Sequence, residues 1–174
     1  AEAQISHAQL RASDARIDAT QLETFATMAM RELDDEALGW FSRRLPWGTY
    51  GMLCRASLGS PNLLVALKRW CRHHGLLTDD IRLELFNAGA EARLCIKECA
   101  QLDAMREFCL LTSLRYVHGY ACWLVDSQLA LEEVTFPFAA PPHREAYRFL
   151  FPGPVRLGVA RASMSFDARY LGLA

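Results

Sequence analysis

The stretch LDAMREFCLLTSLRYVHGYACWLVDSQ, residues 102–128, decides the reading of the fold: it contains no proline and carries apolar side chains at helical spacing throughout. At 100° per residue, Leu102, Met105, Cys109, Tyr116, Val117, Tyr120, Trp123 and Leu124 share one uncharged arc, while Asp103, Glu107, Arg115, His118 and Asp126 gather opposite. This pattern predicts a helix of about 40 Å with one face deep in a core. Leu110, Leu111, Leu114 and Val125 fall within the charged sector, so a sheet or a partner chain is expected to cover part of that side too. Gly119 alone interrupts the helix, at a cost of about 1 kcal/mol against alanine, and signals a kink or close packing of another backbone.

Working outward toward the C-terminus, Val134, Phe136 and Phe138 alternate in a predicted strand, residues 131–138, closed by Pro141 and Pro142. A short helix, 143–150, ends at a Pro and Gly turn, and two strands, 155–159 and 164–166, finish the domain. Toward the N-terminus, residues 81–86 and 92–98 alternate apolar with charged side chains around the turn residues Asn87, Ala88, Gly89 and Ala90, which predicts a hairpin with one wet face. A helix over 62–74 is expected before it, with Ser60 as cap, Pro61 in the first turn, Gly75 as C-cap, and Leu63, Leu64, Leu67 and Trp70 buried. An aromatic, turn-rich segment, 39–51, leads into a short helix over 52–58. Residues 19 to about 33 read as an amphipathic helix with Leu22, Phe25, Met28 and Ala29 on one face, and Thr20 and Glu23 as a capping box. Residues 1–18 are read as a flexible arm, and 19–174 as a single domain. The expected class is α+β, a helical N-terminal part and an antiparallel sheet with a long central helix.

A chain of 174 residues with net charge −1 offers no bulk electrostatic attraction to nucleic acid or an anionic membrane. Of its nineteen basic residues only Lys68 and Lys97 are lysine, a bias attributed to codon usage in a GC-rich genome. The six cysteines form no CxxC pair and several lie in apolar settings, which points to a reduced, cytoplasmic protein. Cys71, His73 and His74 alone are too loose a set for zinc, so no metal and no cofactor are expected. No apolar run reaches the length of a membrane span. The first residue is not Met, which is read as an excised fragment or a processed start.

Catalytic motifs are missing: there is no phosphate-binding glycine loop, no GxSxG, no HExxH and no Cys–His pairing with an orienting third group. The adjacent carboxylates Asp79–Asp80 and Glu132–Glu133 are read as capping or solvating turns, and no catalytic residue is assigned. Candidate ligand-binding positions are therefore wall positions. Tyr116, Tyr120 and Trp123 form an aromatic stripe on the long helix, and Trp70 is the large side chain of the preceding one. Arg82 and Arg93, on opposing hairpin strands, are a candidate pair for an anionic effector, against a solvated sheet face. His118 is weighed as a haem ligand against a satisfied or surface histidine.

The residues carrying most information are Gly48, Tyr50 and Gly51, then Leu63, Ala66 and Leu67, then Tyr147, Leu150, Phe151, Gly153, Pro154, Val155, Leu157, Gly158, Ser163, Phe166 and Leu171. Together they resemble the N-terminal effector domain of AraC-type bacterial transcription regulators, the arabinose-binding-like branch, over roughly residues 20–174. The resemblance implies a non-enzymatic sensor that binds a small-molecule effector, forms a homodimer, has no membrane association, and reaches promoter DNA only through a C-terminal helix-turn-helix domain. The paired helix-turn-helix module of that family is missing from this chain, and the family label does not make arabinose its effector. The alternative reading is a stand-alone small-molecule or haem-type sensor resting on His118.

Overall fold

Strands β1 (Ile81–Ala88) and β2 (Glu91–Glu98) form the hairpin, joined by Gly89 and Ala90 with Gly89 at φ 67°. The remaining strands are β3 (Leu131–Phe136), β4 (Val155–Leu157) and β5 (Ala162–Asp167), and the sheet order is β1-β2-β5-β3-β4. The helices are α1 (His7–Arg11), α2 (Ala19–Glu32), α3 (Thr49–Leu58), α4 (Leu63–Leu77), α5 (Arg106–Leu124) and α6 (Tyr147–Leu150). This computed structural model describes residues 3–173.

The class is α+β, as the sequence predicts. Period-two alternation in each strand places one apolar stripe across the sheet, because directly opposed residues share a face. The register pairs Leu83 with Ile96 and Leu85 with Leu94, then Leu94 with Met164 and Ala92 with Phe166, then Val134 with Met164, and Val134 and Phe136 with Val155 and Leu157. Leu110, Leu114, Val117 and Ala121 of α5, with Leu63, Leu67 and Trp70 of α4, join this stripe in one continuous core. The sheet is antiparallel except at its edge, where β4 runs parallel to β3. Gly153 sits at the entry to β4, where a Cβ would lie 2.5 Å from the Leu131 carbonyl oxygen, so the close approach of the two segments requires glycine.

Several boundaries and faces differ from expectation. The long helix is α5 preceded by a 3-10 turn, Asp103–Met105, and it stops at Leu124 because Asp126 turns left-handed at φ 46°. It runs through Gly119 unbroken. Its buried side chains include Cys109, Val117 and Tyr120 of the uncharged arc and, as expected for a partly covered sector, Leu110, Leu111, Leu114 and His118 opposite; the departure is Trp123 of the uncharged arc, which is 64% exposed. Asn62, not Ser60, caps α4 by accepting from the Val65 amide at 3.0 Å, and Gly75 lies inside that helix rather than ending it. Asp18 and Gln21, not Thr20 and Glu23, make the capping box of α2. No residue of α2 is buried, and Leu22 and Phe25 are more than half exposed. Within residues 3–18, α1 carries its own capping box from Ser6 and Gln9, and the Gln21 side chain donates to the Gln4 carbonyl at 3.1 Å. Beyond β3, residues 137–142 form no strand, since Pro137 has no N–H to extend the ladder.

Candidate functional site

Loop 34–48 joins α2 to α3 without regular structure, so its backbone N–H groups need other acceptors. Its own carboxylates supply them. Asp34 Oδ1 accepts from the Trp47 amide at 2.9 Å; Asp35 accepts from Ala37 and Leu45 at 3.0 Å each and from Gly39 at 2.8 Å. Asp80, at the start of β1, accepts from the Ser42 amide at 2.5 Å and the Ser42 hydroxyl at 2.8 Å. Glu36 accepts from the Gly48 amide at 2.8 Å through Oε1 and from the Tyr50 amide at 2.7 Å through Oε2. Gly48, at φ 95°, has no side chain to cap α3, and the buried Glu36 performs that role with its charge at the positive end of the helix.

This loop fixes one wall of a cleft of about 760 Å³ between α3, α4 and α5. Met30, Glu36, Trp47, Tyr50, Cys54, Trp70, Arg115, Tyr116, Gly119, Tyr120 and Trp123 line it. The volume is that of a small-molecule site. Trp70 and Tyr120 are buried and meet at a tilt with 4.3 Å between ring centroids, Tyr50 meets Tyr116 edge-on at 5.0 Å, and Tyr120 lies 6.3 Å from the exposed ring of Trp123. Trp47 is at the rim, with the Arg31 guanidinium 4.6 Å from its ring centroid. The absent side chain of Gly119 leaves room on the α5 wall, where the Arg115 guanidinium lies 3.4 Å from the place of a Cβ.

The polar groups of the cleft are unequally satisfied. The Glu36 carboxylate is committed to two amides, and the Tyr120 hydroxyl donates to the Cys54 carbonyl at 3.4 Å. The Trp70 Nε1–H and the Tyr50 hydroxyl are buried without a hydrogen-bond partner among the described residues. Burial, reinforced by neighbouring Tyr116, pushes the Tyr50 phenol far above its usual range, and burial raises those of Tyr116 and Tyr120. All three phenols stay protonated and neutral at physiological pH. His74 lies behind the same wall, 6.3 Å from Tyr50 between ring centroids; burial, helped by Arg82, lowers its pKa to about 4.

Four of the six candidate wall residues, Trp70, Tyr116, Tyr120 and Trp123, meet in this one cleft. Arg82 and Arg93 do not, and the structure does not bring them together. Arg82 opposes Lys97 and Arg93 opposes Phe86 across the hairpin, and each guanidinium is engaged locally, Arg82 with Asp79 and the Gly75 carbonyl, Arg93 with Glu91 at 2.5 Å. His118 lines a second, more polar hollow of about 830 Å³ beside the cleft, with Cys122, Arg148 and Phe149; Arg115, Gly119 and Trp123 form the wall between the two. Its Nε2–H donates to the Leu129 carbonyl at 3.0 Å and burial lowers its pKa, which makes it a neutral histidine tied to the backbone through Nε2. Met30, Glu36, Trp47, Tyr50, Cys54, Arg115 and Gly119 were not singled out as wall positions from sequence. The aromatic density of residues 40–50, following three consecutive acids at 34–36, was the available signal.

Among the described residues no helix is long and apolar enough to cross a membrane. No curated protein matches the chain by sequence. The crystal structure of the transcriptional regulator CdpR from Pseudomonas aeruginosa has a similar fold, with a TM-score of 0.55 and 18% identity. The similarity covers 96% of this chain and 53% of that one, so the chain spans about half the length of that regulator. The family described as the arabinose-binding domain of AraC transcription regulators, N-terminal, matches residues 1–174. The chain therefore belongs to this family of regulatory ligand-binding domains.

Proposed function

We propose that the chain is the effector-sensing part of an AraC-type transcription regulator, that its effector binds in the aromatic cleft, and that a C-terminal helix-turn-helix domain outside this sequence reads promoter DNA. The observation that carries the assignment is the cleft itself: six aromatic side chains from a loop and three helices around about 760 Å³, with two unpartnered buried polar groups on the wall. Such a constellation suits orientation and recognition of a small molecule. A nucleophile with its base, or a pair of exposed carboxylates, is not among the cleft residues. The output follows from differential binding. An effector wedged between the Trp47–Tyr50 side and α5 favours one arrangement of these elements, and coupling of about 1 to 3 kcal/mol suffices to redirect attached DNA-binding domains in a cytoplasmic homodimer.

A thermal-shift screen of bacterial metabolites against the purified chain tests the site. Hits are expected to lose their shift in Tyr116→Ala and keep it in Arg93→Ala. Hits that ignore Tyr116→Ala but vanish with Arg82→Ala or Arg93→Ala would move the site to the hairpin and end the cleft assignment.

A further inference from the structure

Resting on the sensor reading of the cleft, we infer that its effector is an apolar acid: an aromatic or acyl body ending in a carboxylate, with Arg115 as the anion-binding residue. The walls favour an apolar body, since Trp47, Tyr50, Trp70, Tyr116, Tyr120 and Trp123 make up most of the lining. The remaining polar inventory decides the charge. Arg115 is the one cationic side chain among the lining residues, and no ion pair among the described residues uses it, whereas Arg82, Arg93, Arg106, Arg156 and Arg169 each hold a carboxylate at 2.9 Å or less.

Two further groups on the wall want a partner, the Trp70 indole N–H, which can only donate, and the Tyr50 hydroxyl. The wall's one carboxylate, Glu36, is already held by two backbone amides at the start of α3. The cleft thus presents one free cation, its carboxylate is already committed, and the two unsatisfied groups lie buried within its wall. That complements a ligand bringing acceptor oxygens and negative charge. An ammonium ligand fits the aromatic rings through cation–π contact but would face Arg115, and Trp47 already carries the Arg31 guanidinium on its ring. Arg115 also stands on the wall shared with the second hollow, so an acid head held there leaves its apolar body directed along the aromatic rings.

The test compares ligands that share a body and differ in charge: octanoate, octanamide and octyltrimethylammonium, and 3-phenylpropionate with its amide and trimethylammonium counterparts. Binding is read from quenching of the cleft tryptophans and by calorimetry. In the unsubstituted chain the carboxylate of at least one series is expected to bind about tenfold or more tightly than its amide. Arg115→Leu, at an exposed position, is expected to erase that preference, and Arg115→Lys to retain part of it. An amide or ammonium member that binds as tightly as the acid, or no binding by any acid, overturns the inference. So does a carboxylate preference that survives Arg115→Leu. If amide and acid bind equally and both are lost in Tyr116→Ala, the charge assignment fails while the cleft remains the sensor site. If the acids bind through Arg115 but ignore Tyr116→Ala and Trp123→Ala, the aromatic cleft itself fails.

Discussion

Trp70 and Trp123 both face the cleft, and the structure separates what their removal does. Trp70 is 2% exposed, packs at a tilt against Tyr120 with 4.3 Å between ring centroids and belongs to the central core. Truncating it removes a large buried ring and leaves a cavity, a loss of about 3 to 5 kcal/mol. For a chain of this size each kcal/mol shifts the melting temperature by about 2 to 4 °C, so Trp70→Ala is expected to melt roughly 6 to 20 °C lower. Trp123 is 64% exposed and meets Tyr120 only at 6.3 Å, so Trp123→Ala is expected to change stability by no more than about 1 kcal/mol. Its effect belongs to the ligand: loss of an aromatic contact weakens effector binding about two- to tenfold. Circular-dichroism melts of the two variants, with urea unfolding to confirm unchanged m-values, measure the first effect, and titration with a hit from the metabolite screen measures the second. A Trp123→Ala protein that melts as low as Trp70→Ala would refute the division into core and rim on which the site assignment stands.

Glu36→Ala strands the Gly48 and Tyr50 amides at a buried helix start, and urea unfolding should register a loss of about 2 to 4 kcal/mol, less for Glu36→Gln, which keeps one acceptor. Gly153→Ala drives a methyl into the Leu131 carbonyl and should cost about 1 to 3 kcal/mol, whereas Gly59→Ala, with nothing within 4 Å, should stay within about 0.5 kcal/mol; matching melting temperatures would contradict the parallel β3–β4 contact. His74, neutral in the folded chain with its pKa lowered to about 4, binds fewer protons than in the unfolded chain between that pH and about 6.5. Its contribution is therefore complete above pH 6.5 and fades by about 3 kcal/mol as pH falls toward 4, with buried His118 acting in the same direction. His74→Phe should flatten that slope in pH-dependent unfolding, and an unchanged slope would exclude His74 as its source.

Much of the fold was legible because its signals are local. The hairpin could be read from alternation in residues 81–98, and the β4–β5 region from the Gly and Pro turn that precedes it. Helix faces were harder. The long helix is apolar on several sides, and packing buries both Cys109, Val117 and Tyr120 of the uncharged arc and Leu110, Leu114 and His118 of the sector opposite, which periodicity alone could not apportion. Capping also misled, because Thr20–Glu23 and Asp18–Gln21 both have the spacing of a capping box, and the backbone chose the earlier pair. For the site, the stripe Tyr116, Tyr120 and Trp123 and the side chain of Trp70 come together on one cleft, since α4 and α5 pack together. Arg82 and Arg93 shared a solvent face in sequence terms but sit well apart along the hairpin, each with a carboxylate nearer in sequence.

Local patterns fixed the order and type of the elements from residue 19 onward, though not α1 (His7–Arg11), together with the apolar stripe of the sheet and the family to which the chain belongs, because periodicity, turn residues and motifs act over a few positions. Only the tertiary structure decided which aromatics are core and which line a cleft, and which charges remain free. Those properties depend on partners far along the chain. Ser42 meets Asp80 across 38 positions, Tyr120 reaches the Cys54 carbonyl across 66, and among the described residues no carboxylate pairs with Arg115. The cleft exists because the carboxylates of loop 34–48 satisfy its backbone and hold Trp47 and Tyr50 opposite α5.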